Sequence, residues 1–159
     1  MKHPITPAIR QLRQHGVQFE PFLYRYEPKG GTSASAEALN VPESQVIKTL
    51  IMEDEAGNPM VILMTGDREV STKTLARALS VKAIKPCEPK TAQKHSGYQV
   101  GGTSPFGTRN AMPVIMEETI LELPHLYING GKRGFLIRIE PAVLTEILKP
   151  KLVSVGIGT

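Results

Sequence analysis

The sequence predicts an α+β fold in the sense of a mixed α/β protein, with a mixed, barrel-like β-sheet surrounded by helices. Three observations favour this fold. Helical patterns with capping residues alternate along the chain with short runs of strand-forming residues. Residues 46–52 and 60–65 are strand-forming and flank a charged turn, which is typical of a hairpin. Other strand-like runs are separated by helices, so crossover connections are expected as well.

Composition limits the class of protein. Of the 159 residues, 40% are hydrophobic and 21% are charged, the balance of a globular domain, and we expect residues 1–159 to form a single domain. The chain has no run of about 18 apolar residues, and its first residues lack an apolar signal region, so we expect a cytoplasmic protein with no membrane partner. A net charge of +4 permits a polyanionic partner such as RNA.

Capping residues predict where the helices lie. Thr6 and Pro7 have the character of an N-cap and a first helical residue, and Gly16 that of a C-terminal cap, which predicts a helix over residues 7–15. A short apolar face predicts a second helix over residues 33–39. Further helices are predicted over 71–79 and 88–95, and from Pro141 onward.

Strand-forming residues fill the segments between the helices. These segments are residues 17–26, 46–52, 60–65, 112–116, 126–128 and 135–139. Lys48 is the anomaly among them, because it shares a strand face with Val46, Leu50 and Met52. A lysine in such a run either lies at a sheet edge with its ammonium in water or points into a pocket that uses its charge, and the residues leave both alternatives open.

Two glycine clusters are candidate loops. "QVGGTSPFGT" (residues 99–108) reads as a surface turn or as a loop whose backbone comes close to a ligand and offers its N–H groups. "NGGKRG" (residues 129–134) lies between two strand-like runs and is typical of a hairpin. A hairpin can also carry a site, because functional residues are often held on loops by a rigid sheet.

Cys87 is the one cysteine, so no internal disulfide is expected. It reads as a small buried hydrophobic residue, since no cysteine–histidine motif suggests catalysis. The sequence shows no spacing typical of metal ligands, and we expect neither a metal nor another cofactor. The histidines are scattered along the chain: His3, His15, His95 and His125.

Three motifs in order carry a family resemblance: "VIKTLI" (46–51), "GYQVGGTSPFG" (97–107) and "YINGGKRG" (127–134). Together they resemble the YbaK family of aminoacyl-tRNA editing proteins, relatives of the insertion domain of bacterial prolyl-tRNA synthetase. The similarity runs from about Thr6 to Val155 and is greatest to the branch that deacylates Cys-tRNA(Pro). It implies a barrel-like sheet with outer helices and an aminoacyl-tRNA deacylase.

The resemblance also implies roles for particular residues. Lys48 matches the lysine that lines the pocket for the tRNA 3′ end, and residues 101–105 match a Gly-x-x-x-Pro loop whose glycines let the backbone touch the ester. The implied catalytic set is Lys48, Gly101, Gly102, Thr103 and Ser104. The implied substrate-binding set is Tyr24, Pro105, Asn129, Gly130 and Gly131, with Arg109, Lys132 and Arg133 as candidate tRNA backbone contacts that could equally be solvated surface cations.

Two departures from the resemblance bear on the substrate. Asn129 stands where Cys-editing relatives have serine, and "TSASAE" (32–37) replaces an "FGDE"-like segment. Alanine or serine esters are therefore alternative substrates. The chain shows no Ser-His-Asp order and no G-x-S-x-G elbow, so the resemblance implies that substrate groups, either a cysteine thiol or a ribose hydroxyl, do the chemistry.

The expected partner is aminoacyl-tRNA, tRNA(Pro) in particular, with transient association with prolyl-tRNA synthetase; no DNA partner is expected. A non-catalytic module that binds tRNA or a synthetase is an alternative. A small-molecule phosphate-binding protein is a further one, although the usual phosphate-loop spacings are not present.

Overall fold

The computed structural model describes residues 2–158. The helices are α1 (Pro7–Gln14), α2 (Gly31–Leu39), α3 (Thr72–Ala78), α4 (Pro89–Ser96) and α5 (Pro141–Leu148). The strands are β1 (Glu20–Leu23), β2 (Val46–Asp54), β3 (Pro59–Thr65), β4 (Arg68–Val70), β5 (Ile84–Pro86), β6 (Val114–Glu117), β7 (Leu126–Lys132), β8 (Phe135–Ile139), β9 (Lys151–Val153) and β10 (Gly156–Gly158). None of the described helices is long and apolar enough to cross a membrane.

The predicted helices are confirmed, and the caps explain their ends. The Thr6 hydroxyl accepts a hydrogen bond from the Ile9 amide at the start of α1, and the Ser71 hydroxyl accepts one from the Thr74 amide at the start of α3. α4 ends at Gly97, whose φ of 82° lies in the left-handed region that glycine tolerates. Local capping chemistry therefore explains where α1 and α3 begin and where α4 ends.

The main sheet is mixed, as predicted, with strand order β1-β8-β7-β2-β3-β6-β9. β2 and β3 form the predicted antiparallel hairpin, while β2–β7, β3–β6 and β6–β9 are parallel. The barrel-like part of the prediction needs correction. Within residues 2–158, β1 pairs only with β8 and β9 only with β6, so the sheet has two free edges and does not close.

Both faces of the central strands are covered by helices. Ile47 and Ile51 of β2 point into a core that includes Ile9 and Leu12 of α1 and Leu144 of α5. Side chains of the opposite face, among them Met52 and Met64, pack against Leu75 of α3. This period-two alternation is what a strand buried between two layers requires.

One side of β2 is left partly uncovered. β7 pairs with β2 only at Val46 and Ile47, and β5 pairs with it only from Met52 to Asp54. Between these pairings, no strand of the described chain pairs with residues 48–50 on that side. The parallel and antiparallel neighbours diverge there and leave an opening beside Lys48.

Four short strands were not predicted. β4, β5, β9 and β10 have three residues each, too few to display an alternating pattern. β10 and β4 pair with each other in a two-stranded sheet separate from the main one. Their positions depend on tertiary contacts rather than on their own residues.

Candidate functional site

A cavity of about 820 Å³ opens where β2 is uncovered. Its wall is formed by β2, the start of α2, the glycine loop of residues 100–103 and the β7–β8 hairpin. The cavity brings together about half of the residues predicted from sequence. These are Tyr24, Lys48, Gly101, Thr103, Asn129 and Arg133.

β2 lies in the interior of the strand order, but within residues 2–158 Lys48 itself pairs only with Met64 of β3, and its other side faces the opening. Its side chain is 19% exposed. The ammonium nitrogen donates to the Arg68 carbonyl oxygen at 2.7 Å and to the Glu69 carboxylate at 3.4 Å, and both acceptors belong to β4. Lys48 therefore places a held positive charge in the cavity wall.

Thr49, which follows Lys48, is a cavity residue that the sequence analysis missed. Of the buried side-chain polar atoms in residues 2–158, its hydroxyl oxygen lacks a hydrogen-bond partner. Buried hydroxyls normally have one, because burying an unpaired polar group costs free energy. The available signal was a second polar side chain within an apolar strand.

The two glycine clusters form one structural unit. The side-chain amide of Asn129 donates to the Gly101 carbonyl oxygen at 3.2 Å. Its side-chain oxygen accepts from the Gly131 and Lys132 amides at 2.6 and 3.0 Å. The Asn129 side chain thus ties the glycine loop to the bulge where β7 turns into β8.

Arg133 gives the same loop a second support. Its guanidinium donates through Nε to the Val100 carbonyl oxygen at 2.9 Å and lies 5.1 Å from the centre of the Tyr26 ring. Tyr26 lines the cavity but was not singled out from sequence. Its spacing of two residues from Tyr24 along extended backbone is the signal that could have found it.

The glycines are required by the protein's own packing. A β-carbon on Gly101 would lie 2.5 Å from the Tyr26 hydroxyl, and one on Gly102 would lie 2.7 Å from the Arg133 amide nitrogen. Phe135 fills the corresponding space at Gly130, and Tyr98 and Thr6 fill it at Gly131. Protein atoms occupy the space that a side chain would take at these positions, so packing within the protein is enough to require the glycines.

Amides of the glycine loop were predicted to be available to a ligand, and the amide of Gly102 already has a partner within the protein. It donates to the Gln99 carbonyl oxygen at 2.8 Å, inside the turn that shapes the loop. Gly101 and Thr103 remain in the cavity wall, and the Thr103 hydroxyl donates to Gln99 at 3.3 Å.

Seven predicted site residues lie outside the cavity wall: Gly102, Ser104, Pro105, Arg109, Gly130, Gly131 and Lys132. Ser104 is fully buried and accepts a hydrogen bond from the Phe106 amide, which is a turn-forming role. Arg109 packs beside Gly97 at the end of α4. Gly102, Gly130 and Gly131 form the packed layer behind the loop, as described above.

Two titratable groups of the wall have raised pKa values. Burial raises the pKa of the Tyr24 phenol, and the neighbouring Tyr26 adds to this, against hydrogen bonds from Ser35 and Gly134. Burial is also the main cause that raises the pKa of the Cys87 thiol, helped by Glu53 and opposed by Lys85. Both groups keep their protons at neutral pH, so neither is an activated nucleophile there.

No group of three or more histidine, cysteine or carboxylate side chains in the described residues is arranged to hold a metal ion. The cavity wall instead carries two lysines, one arginine, two glutamates and several hydroxyl-bearing side chains. Such groups can bind, orient and polarise a substrate.

Known structures include proteins with the same fold as this chain. The structure of a candidate trans-editing enzyme for prolyl-tRNA synthetase superposes with a TM-score of 0.82 over 98% of this chain and 100% of that one, at 20% sequence identity. A model of the aminoacyl-tRNA editing domain family matches residues 27–147, and the chain belongs to this family. The matched region contains all three motifs, which confirms the resemblance that they carry.

Two curated relatives illustrate the range of the family. EbsC of Enterococcus faecalis, named as a candidate Cys-tRNA(Pro)/Cys-tRNA(Cys) deacylase, is 27% identical over 89% of this chain and 87% of its own length. A proline–tRNA ligase of Streptococcus thermophilus is 27% identical over 82% of this chain, which corresponds to 20% of the ligase.

Proposed function

We propose that this chain, as one editing domain over residues 1–159, is a deacylase that acts in trans on mischarged tRNA, and that its substrate is Cys-tRNA(Pro). Membership of the aminoacyl-tRNA editing domain family supports the reaction class. The name of the Enterococcus relative, which is similar over nearly its whole length, supports the amino acid and the tRNA.

The observation that carries the proposal is the Lys48 ammonium held in the cavity wall by two acceptors of β4. The cavity volume of about 820 Å³ lies in the range of small-molecule sites and suits a terminal nucleoside with its amino acid. The ammonium of Lys48 would hold the ribose or phosphate of the tRNA 3′ end.

In the proposed chemistry, the thiol of the esterified cysteine attacks its own carbonyl carbon. A carbon–sulfur bond forms, the carbon–oxygen bond to the ribose breaks, and the ribose oxygen takes the thiol proton. The products are free tRNA and a cyclic thioester, which water then opens to cysteine. The enzyme contributes by holding the ester in the reactive geometry, which can supply several kcal/mol of the barrier.

Lys29, Lys48 and Arg133 give the cavity wall three cationic side chains, which suits a tRNA backbone. We propose accordingly that binding of tRNA weakens steeply as salt rises. We also propose a transient association with prolyl-tRNA synthetase, which the matching region within the Streptococcus ligase supports.

Asn129 favours one alternative substrate class. It stands in the wall at a position where the family resemblance leads one to expect serine, and it is held by three hydrogen bonds. Asparagine is bulkier than serine and leaves less space for the amino acid of the substrate, which favours the smaller alanine ester. Hydrolysis of that ester would use a water oriented by the ribose hydroxyl.

A deacylation screen over tRNA(Pro) charged with cysteine, alanine, serine or proline tests the proposal. The proposed substrate requires Cys-tRNA(Pro) to be cleaved much faster than Ser-tRNA(Pro), because a hydroxyl is a poorer nucleophile than a thiol at the same position. Preference for the alanine ester would select the alternative. Binding of all four without turnover would indicate a non-catalytic tRNA-binding module.

A further inference from the structure

A buried carboxylate lies well outside the cavity wall. Glu117, the last residue of β6, is 1% exposed. One of its oxygens accepts a hydrogen bond from the Val155 amide at 2.7 Å, and the other accepts one from the Gly156 amide at 2.8 Å. Both oxygens of the carboxylate accept from the same short segment of backbone, so Glu117 fixes the start of β10.

β10 in turn fixes β4. Gly156, Ile157 and Gly158 pair antiparallel with Val70, Glu69 and Arg68. The Ser71 amide adds a hydrogen bond to the Val155 carbonyl oxygen at 2.8 Å. In the described chain β4 pairs with no strand of the main sheet, so β10 is its pairing partner.

β4 supplies both acceptors of the Lys48 ammonium, the Arg68 carbonyl at 2.7 Å and the Glu69 carboxylate at 3.4 Å. A lysine side chain has four rotatable bonds, and its ammonium keeps one position only where such acceptors hold it. The position of the Lys48 charge in the cavity therefore depends on where β4 lies.

We propose that Glu117 is a positioning residue for Lys48: the buried carboxylate holds β10, β10 holds β4, and β4 holds the ammonium in the cavity. The inference deepens the proposed function and rests on it for the role of Lys48 in deacylation. The chain of contacts from Glu117 to Lys48 stands on geometry alone. Misplacement of a catalytic group by about 1 Å can cost on the order of 10²-fold in rate.

Two substitutions disrupt the series of contacts from Glu117 to Lys48 at different points. In Glu117→Gln, one side-chain oxygen still accepts an amide hydrogen, but the new NH₂ group faces the second amide, donor against donor. Gly156→Ala leaves Glu117 intact. The added β-carbon would lie 2.5 Å from a carboxylate oxygen of Glu117 and 3.1 Å from the Arg68 side chain. Gly158→Ala is the matched control on the same strand, because a β-carbon there has no atom within 4 Å in the described chain.

Two readouts are compared in variants that retain a cooperative unfolding transition. The first is the NMR signal of the Lys48 ε-carbon, assigned with Lys48→Met. The second is kcat for the best-cleaved charged tRNA, measured together with KM. We expect Glu117→Gln and Gly156→Ala to shift the Lys48 signal and to lower kcat about 10- to 100-fold with KM within about twofold. Gly158→Ala should match the wild type in both.

A Lys48 signal and a kcat that stay at the wild-type values in both variants would overturn the inference. If Glu117→Gln does not fold, Gly156→Ala decides alone, since it leaves the carboxylate in place. Should Lys48→Met itself retain full turnover, the proposed role of Lys48 fails. The NMR shift would then still report whether Glu117 positions the ammonium, so the two failures are distinguishable.

Discussion

The phenol of Tyr26 fills the space in which Gly101 would carry a β-carbon: its hydroxyl oxygen lies 2.5 Å and its ring atoms 3.1 Å from that position. Gly101 also has a φ of 91°, where other residues are strained. We expect Gly101→Ala to lower the free energy of unfolding by about 1 to 3 kcal/mol.

The Tyr26 contact has a double-mutant test. Tyr26→Phe removes the nearest atom, so in Gly101→Ala/Tyr26→Phe we expect part of the loss to be recovered, with a coupling of about 0.5 to 3 kcal/mol. Urea unfolding of the four proteins measures this coupling. If the two changes in the free energy of unfolding are strictly additive, backbone strain alone explains why position 101 requires glycine.

Lys48→Met keeps the aliphatic part of the side chain and removes the charge. We expect the deacylation rate to fall by on the order of 10²-fold, because we propose that the ammonium contacts the reacting end of the tRNA. The melting temperature should change little, since the charge is not part of the core. Lys94→Met, an exposed change on α4, is the control. Unchanged turnover in Lys48→Met would exclude a role in deacylation and leave Lys48 a structural contact with β4.

Asn129→Asp tests how the two loops are joined. The carboxylate can still accept hydrogen bonds from the Gly131 and Lys132 amides, but it loses the donor to Gly101 and puts an acceptor close to that carbonyl. We expect stability to fall by about 1 to 3 kcal/mol and the glycine loop to open. Hydrogen exchange at the Gly102 amide should speed up. Unaltered exchange there would show that the Arg133 contact holds the loop by itself.

Cys87→Ser should retain deacylase activity. The thiol lies in the cavity wall, but burial raises its pKa, so the thiolate fraction at neutral pH is lower than for a free cysteine. In the wild type we therefore expect slow alkylation by iodoacetamide at pH 7.5 that accelerates above the ordinary thiol pKa. An inactive but folded Cys87→Ser protein would contradict substrate-assisted chemistry.

Tyr98 predicts an alkaline loss of stability. Burial raises the pKa of its phenol from 10.0 to about 12, and the hydroxyl donates to the Phe106 carbonyl oxygen at 2.6 Å. The folded protein holds this proton more tightly than the unfolded chain, so the contribution to stability is complete below pH 10 and is lost as the pH rises toward 12. Denaturant midpoints measured from pH 9 to 12 should fall more steeply for the wild type than for Tyr98→Phe. Parallel profiles would contradict the shift.

Local signals predicted the elements that have a pattern of their own. The Thr6 and Ser71 caps, the glycine at position 97 and the runs of strand-forming residues in β2 and β3 are local signals, so they can be read from the chain. The three-residue strands could not be found in this way. β4 exists because β10 pairs with it, and β10 is held by a carboxylate 39 residues away from Gly156 in sequence.

The site was predicted only in part, because local motifs do not show which residues come together in the fold. The motifs indicated Lys48, the glycine loop and Asn129, but they did not distinguish wall residues from the layer behind them. Ser104 and Gly102 belong to that layer, because the turn uses the serine hydroxyl and the Gly102 amide internally. Thr49 and Tyr26 were missed, since their importance comes from an unpaired hydroxyl and from contact with a distant glycine.

The amino-acid sequence by itself determined the order of helices and strands, the mixed sheet and the family, because capping, alternation and short motifs are local properties of the chain. The tertiary structure decided which side chains share a cavity, at which glycines a β-carbon has no space, and which groups hold the Lys48 ammonium. Those properties depend on contacts between residues far apart in sequence: Gly101 with Tyr26, Asn129 with Gly101, and Lys48 with Arg68. Such contacts exist only once the sheet has formed and its neighbours have diverged beside β2.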